Sequence, residues 1–205
     1  VHEDHLALGL RHAQGFDPAF AEKQQQVVGA FARMGVGEGT PVPTCTPYLI
    51  GNRPSAGAHV AWAESSAVSF ANSVLGARTN REGGPGAIAA AITGRTGAYG
   101  LHLDANRRAT LRVYVAGQPV TISDYSALGA LVGQRARNGV SYFDNLTVDP
   151  ADALREEKLK ALGAAMAATG AVALYHIEGV TPEAAAYMPA ANMPSDIERV
   201  EIADL

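Results

Sequence analysis

A single cysteine, Cys45, stands in 205 residues, which excludes an internal disulfide framework and fits a reducing cytoplasm. Long apolar runs are missing too: none reaches the roughly 20 residues that a bilayer-spanning helix needs. The opening Val1-His2-Glu3-Asp4 is too acidic to begin a secretory signal, so a cytoplasmic, membrane-free protein is expected. There is no basic excess. With 16 Lys and Arg against 20 Asp and Glu, a formal charge of −4 and a pI near 5.8, the chain is not a general binder of nucleic acid or anionic membrane, both of which require a basic face. Glycine and alanine are abundant but follow no fixed period, which argues against a solenoid.

What remains is a chain 47% hydrophobic and 18% charged, ordinary for a soluble globular protein and long enough to bury a useful core. Asp17-Pro18 opens a helix that carries Phe20, Val27, Phe31 and Met34 on one face before Gly35. The three prolines from Pro41 to Pro47 forbid a helix and favour an extended segment or loop around Cys45. Leu111, Val113 and Val115 alternate as in a half-buried strand, and Ala116-Gly117-Gln118 is read as a turn into Val120-Thr121-Ile122, making a β-hairpin. Ser123-Asp124 caps a further helix to about Arg137, Gly139 to Phe143 reads as a short strand, and Asp149-Pro150 begins the last long helix, ending before Gly170. Ala171 to His176 is a continuous apolar strand of the kind buried in a parallel sheet. Alternation of helices with short strands makes the fold α/β with a hairpin appended. The stretch 185–205 reads as a loop-like tail.

Polar groups suited to gripping a small anion crowd into Glu64-Ser65-Ser66 and Arg78-Thr79-Asn80-Arg81-Glu82. Between them Ala67, Phe70, Ala71, Val74 and Leu75 recur at helical spacing before Gly76. Ser65 or Ser66 then opens a helix whose free N–H groups and dipole favour an anion; a serine in that place is also, more commonly, only an N-cap. Guanidinium groups match carboxylates bidentately, and Gly83-Gly84-Pro85 lets the backbone approach a ligand before the small-residue helix Ala87 to Ile92. A solvated loop with a charged tip explains the same run. His102 either lines a pocket or is a hydrogen-bonded structural histidine. His176 and Glu178, at the carboxyl end of the last strand, are secondary candidates, and a plain strand-to-helix connection explains them equally well. His2, Glu3, Asp4, His5 and His12 have the look of a metal cluster, though a solvated terminal segment accounts for them.

Three segments carry a family likeness. TCTPYLIGN (Thr44 to Asn52), AWAESSAVSFANSVLGARTNREGGP (Ala61 to Pro85) and GAVALYHIEGVTPEA (Gly170 to Ala184) resemble, in wording and in order, the large subunit of the aconitase X family. The TNREGG run is also similar in style to the arginine-bearing loop of isopropylmalate isomerases. The resemblance implies an aconitase-like architecture of helices packed on short, mostly parallel sheets, with 1–205 forming a single portion of a longer catalytic domain. It implies a hydro-lyase removing water from a small hydroxy acid, cis-3-hydroxy-L-proline or, as the alternative, mevalonate 5-phosphate; no phosphate-loop motif decides between them, and the Ala-rich composition without the Lys/Glu bias of hyperthermophiles leans to the first.

It further implies iron, as an iron–sulfur cluster or a single ion, with Cys45 as one ligand and the others outside this chain, because a cluster takes three or four ligands. A small swivelling domain or subunit is the implied partner, bringing a serine base. Within the chain the implied roles are catalytic for Glu64, Ser65 and Ser66, and substrate-binding for Arg78, Thr79, Asn80, Arg81 and His102. A non-catalytic piece that binds a partner or a carboxylate is the competing reading.

Overall fold

The computed structural model describes residue 15 and residues 17–35, 46–188 and 197–200. Cys45 and the histidines at positions 2, 5 and 12 lie outside them. The chain divides into two compact units, 1–52 and 53–205.

In the first unit Asp17 caps α1 (Pro18–Arg33), its side chain accepting from the Ala19 N–H at 2.9 Å, with proline in the first turn. The sequence places this helix correctly. A 3₁₀ turn, Pro47–Ile50, follows the prolines and closes on Gly51 in the left-handed region.

The second unit opens with a strand-like segment, 58–62, helix α2 (Ser65–Ser73), and a second extended segment, 77–82. The two extended segments run parallel, through a bridge between His59 and Arg78 and the bonds Arg78 N to Ala58 O (2.8 Å), Val60 N to Arg78 O (3.0 Å) and Glu82 N to Trp62 O (3.0 Å). Gly76, at φ 70°, makes the return from the helix, as a left-handed glycine does at helix ends. Helix α3 (Gly84–Thr93) follows, with no buried residue.

A parallel sheet forms the body: β1 (Leu111–Val115), β2 (Ser141–Phe143), β3 (Tyr175–Ile177) and β4 (Ile197–Val200), in the order β3-β2-β1-β4. Leu111 pairs with Ser141, Ser141 with Tyr175, and Arg112 with Ile197. Helices α4 (Ile122–Ala136) and α5 (Arg155–Gly170) make the crossovers. Both β2 and β3 are buried along their whole length, as parallel strands covered by helices must be. The core joins Val113 and Val115 of β1, Leu128 and Val132 of α4, Leu159, Leu162 and Met166 of α5, and Phe143, Tyr175 and Ile177. Glycines let the helices come close. A Cβ on Gly129 would collide with the Leu162 carbonyl, and one on Gly163 with the Ser69 hydroxyl of α2.

The α/β architecture expected from the alternation of elements is present. The hairpin is not. Residues read as its second strand start α4 instead: Thr121 is the N-cap, its hydroxyl accepting from Asp124 N–H, while the Asp124 carboxylate accepts from the Thr121 and Val120 N–H groups. This reciprocal capping box satisfies the orphan donors of the first turn, so β1 finds its partners in β2 and β4. Further boundaries move, among them that of β3, which begins only at Tyr175 because Ala171 is still the left-handed cap of the preceding helix. The last long helix starts at Arg155 after a turn over 149–154, and residues 197–200 of the stretch read as loop-like form β4.

Candidate ligand site

Glu64 is the N-cap of α2. Its carboxylate accepts from the Ser66 hydroxyl (2.6 Å), the Ser66 N–H (3.1 Å) and the Ala67 N–H (2.7 Å). Burial works against the charged form, but those hydrogen bonds hold the carboxyl below its usual range. The helix terminus therefore already carries an anion, and it is the protein's own. Ser65 sits exposed at the first helical position, and Ser66 is spent on Glu64.

Arg78 and Arg81, three residues apart, have opposite fates. Arg78 is largely buried, with 16% of its side chain exposed, and pairs with Asp104 (2.5 Å) and more distantly with Glu183 (3.5 Å). It also donates to the His102 carbonyl (3.2 Å) and to the Tyr187 hydroxyl (3.0 Å). Arg81 is exposed and donates to the Asn138 carboxamide oxygen at 2.8 Å. Among the described residues it has no carboxylate partner.

Thr79 and Asn80 between them are tied to the frame. Thr79 is fully buried; its hydroxyl accepts from Trp62 N–H and donates to the Asn80 carbonyl, and its N–H donates to Asn72 Oδ1. Asn80 accepts from Leu101 N–H (2.8 Å) and donates to the Tyr99 carbonyl (3.2 Å), which clasps the 99–101 turn to the arginine-bearing segment. His102 is buried against His59, their Nδ1 atoms 2.8 Å apart.

Arg107 organises the whole arrangement. It is wholly buried, grips Glu183 through Nε (2.8 Å) and Nη2, and donates to Asn72 Oδ1 and to the carbonyls of Asn72, Ala77 and Leu101. Asn72 passes this support on, holding the Thr79 carbonyl and N–H. A buried guanidinium must have its charge and donors matched, and here the matching fixes the backbone on both sides of Arg81.

The space so built is a cavity of about 390 Å³, lined by Asn80, Arg81, Asn106, Thr110 and Asn138 with the backbone of Gly100 and Gly139. Thr110, Gly139 and Ala173 each precede a strand, so it lies outside the amino ends of β1, β2 and β3. The carboxyl-end expectation does not describe it. His176 lies within β3, fully buried, with Nε2 donating to the Arg107 carbonyl at 2.8 Å, and Glu178 is exposed. Of the residues singled out in the sequence, the cavity thus gathers Asn80 and Arg81, while Glu64, Ser65, Ser66, Arg78, Thr79 and His102 do not line it.

Among the described residues, no three His, Cys, Asp or Glu side chains come together in a way that would hold a metal ion. The described donors do not make up a ligand set for iron. No helix among them is long and apolar enough to cross a membrane.

Sequence reading missed Arg107, Asn72 and Asn138. An arginine in Asn106-Arg107-Arg108 carries no local mark of burial, because its partners lie 6, 30, 35 and 76 residues away, in neither a helical nor a strand period. Asn138-Gly139 did carry a signal, since Asn-Gly marks a turn with positive φ.

The cavity, at the amino ends of a parallel sheet, presents the Arg81 guanidinium, bonded to Asn138, beside a rim of amides. The aconitase X first-domain profile matches residues 6–105 and the second-domain profile matches residues 109–205. This chain belongs to the aconitase X family. It is 60% identical over 169 residues to the phosphomevalonate dehydratase large subunit of Methanothermobacter thermautotrophicus, covering 82% of this chain and 40% of the relative. It is 39% identical over 200 residues to the cis-3-hydroxy-L-proline dehydratase of Hypocrea jecorina, covering 94% of this chain and 32% of that protein. The crystal structure of Thermococcus kodakaraensis aconitase X in its holo form superposes with a TM-score of 0.77 at 51% identity, over 92% of this chain and 46% of that one. The chain thus spans less than half the length of these relatives. Arg107 falls between the two matched regions and bonds to both.

Proposed function

We propose that this chain is part of the large subunit of a hydro-lyase that dehydrates a small β-hydroxy carboxylate, and that the substrate is mevalonate 5-phosphate. The observation that supports it is Arg81, a guanidinium facing a 390 Å³ cavity with an amide, and no carboxylate among the described residues, as its partner. The composition favours hydroxyproline, but that preference gives way before 60% identity to a phosphomevalonate dehydratase subunit against 39% to a hydroxyproline dehydratase.

Both substrates share one chemical pattern, a hydroxyl β to a carboxylate and a removable proton on the carbon between. Losing that proton pushes charge onto the carboxylate oxygens. A fixed cation bound there is favoured more in the transition state than in the ground state, which is what lowers the barrier. Arg81 supplies that cation. Arg107, Asn72 and Asn80 hold its segment still, so little reorganisation accompanies reaction. Cys45 as one iron ligand, a small-subunit partner contributing a serine base, and a cytoplasmic setting complete the proposal; the partner is in keeping with the name "large subunit" that such relatives carry.

The test is Arg81→Ala in the assembled enzyme, with turnover of mevalonate 5-phosphate followed by absorbance of the conjugated product. A fall of about 100-fold or more in kcat/KM with iron content unchanged is expected. Full activity refutes the assignment, and faster turnover of cis-3-hydroxy-L-proline overturns the substrate choice.

A further inference from the structure

Between α4 and β2 the chain turns through two consecutive left-handed residues that are not glycine, Arg137 (φ 44°) and Asn138 (φ 71°). Residues with side chains enter that region at a cost, and persist there when the surroundings impose it. The surroundings here are specific. Arg137 N–H donates to the Gly133 carbonyl, Asn138 N–H to the Gly170 carbonyl at 2.6 Å, and Gly139 N–H to the Ala136 carbonyl. A Cβ on Gly170 would collide with the Gly133 carbonyl, and one on Gly139 with the Thr110 hydroxyl. The ends of two helices and the start of β1 lock the turn.

The result is a carboxamide aimed into the cavity. Asn138 Oδ1 accepts from Arg81 Nη2 at 2.8 Å. Arginine has donors only, so this contact decides which end of the amide faces it. The Asn138 Nδ2 group, with two donors, is turned elsewhere, and no acceptor holds it among the described residues. Asn80, by contrast, spends its carbonyl on Leu101 and a donor on Tyr99. Beside the free edge of Arg81, the Asn138 amide is a polar group in the cavity with neither of its donors placed among the described residues.

We propose that Asn138 is a substrate-positioning residue, fixing the Arg81 guanidinium through Oδ1 and donating from Nδ2 to the same carboxylate or phosphate. The anion clamp then spans the two matched regions, Arg81 from the first and Asn138 from the second. This inference rests on the reading of the cavity as the substrate site.

Asn138→Asp and Asn138→Gly test it, because aspartate and glycine both tolerate the left-handed region. An aspartate would pair with Arg81 and repel an incoming anion; a glycine keeps the turn and removes the amide. Inorganic phosphate and mevalonate 5-phosphate are titrated by calorimetry into the full chain and its variants. Dissociation constants are expected to rise about tenfold or more in N138D and about threefold in N138G, with melting temperatures unchanged. In the assembled enzyme the effect falls on KM, with kcat changed less than about twofold.

Parent-like affinity in N138D or, where N138D fails to fold, in N138G overturns the role of Asn138. If R81A loses the anion in that case, the cavity reading stands without it. Parent-like affinity in R81A, or no binding by the parent chain, removes the cavity reading and this inference together.

Discussion

His59 and His102 face each other through their Nδ1 atoms at 2.8 Å, rings stacked with centroids 5.1 Å apart and 20° between planes. Such a contact needs one Nδ1 with a proton and one without, so it breaks when both rings are charged. Burial, first, and then the charge on His59 push His102 below the ordinary histidine value; Arg107 and Arg78 add to this, and Glu82 opposes it. Because burial is the larger cause, His59→Asn is expected to raise the His102 midpoint while leaving it below the ordinary value. NMR titration of the His102 ring protons checks this. A midpoint fully restored to the ordinary value would mean that His59, and not burial, sets it.

His176 carries a pH dependence of stability. Burial pushes it down to about 4, outweighing its bond to the Arg107 carbonyl. As pH falls below about 6.5, the unfolded chain takes this proton and the folded chain does not. The contribution is therefore complete above that pH and is lost between about 6.5 and 4, in all about 3 kcal/mol. Denaturant unfolding across that range should lose about 1.4 kcal/mol per pH unit from this group, and His176→Gln should flatten the slope.

Arg107 and Glu183 form a pair in which the arginine is wholly buried and the glutamate keeps 15% of its side chain exposed. Removing one partner of such a pair strands the other's charge, which costs about 3–5 kcal/mol. Arg107→Met is expected to destabilise by about 3 kcal/mol, the low end of that range because Arg78 stays 3.5 Å from Glu183, and Arg107→Met combined with Glu183→Gln by less. Chemical denaturation of the four proteins closes the cycle. Additive losses would show that the two side chains do not depend on each other.

The sequence made the helices legible where caps and apolar spacing agree, as at Asp17-Pro18 and over Ala67 to Gly76. It misled at Val120-Thr121-Ile122, where a β-branched run beside a turn reads as a strand, while Thr121 and Asp124, three apart, close a capping box. The arginine-bearing segment was also legible, but not the division of labour inside it. Arg78 and Arg81 look alike in sequence, and only tertiary placement gives one to Asp104 and Glu183 and the other to the cavity. Asn138 comes from 57 residues away, and no local pattern pairs it with Arg81.

Strand β4 pairs with β1 along Arg112 to Val115, yet it emerges from synthesis only after both crossovers are complete. Until then β1 holds its β2 neighbour on one side and an open ladder of amides and carbonyls on the other. An open parallel edge is a template for any passing strand, so a nascent or proteolysed chain ending between β3 and β4 would be prone to self-association. Pairing with β4 occupies that ladder of β1 and moves the edge of the sheet out to a strand of four residues, away from the body that carries Arg107.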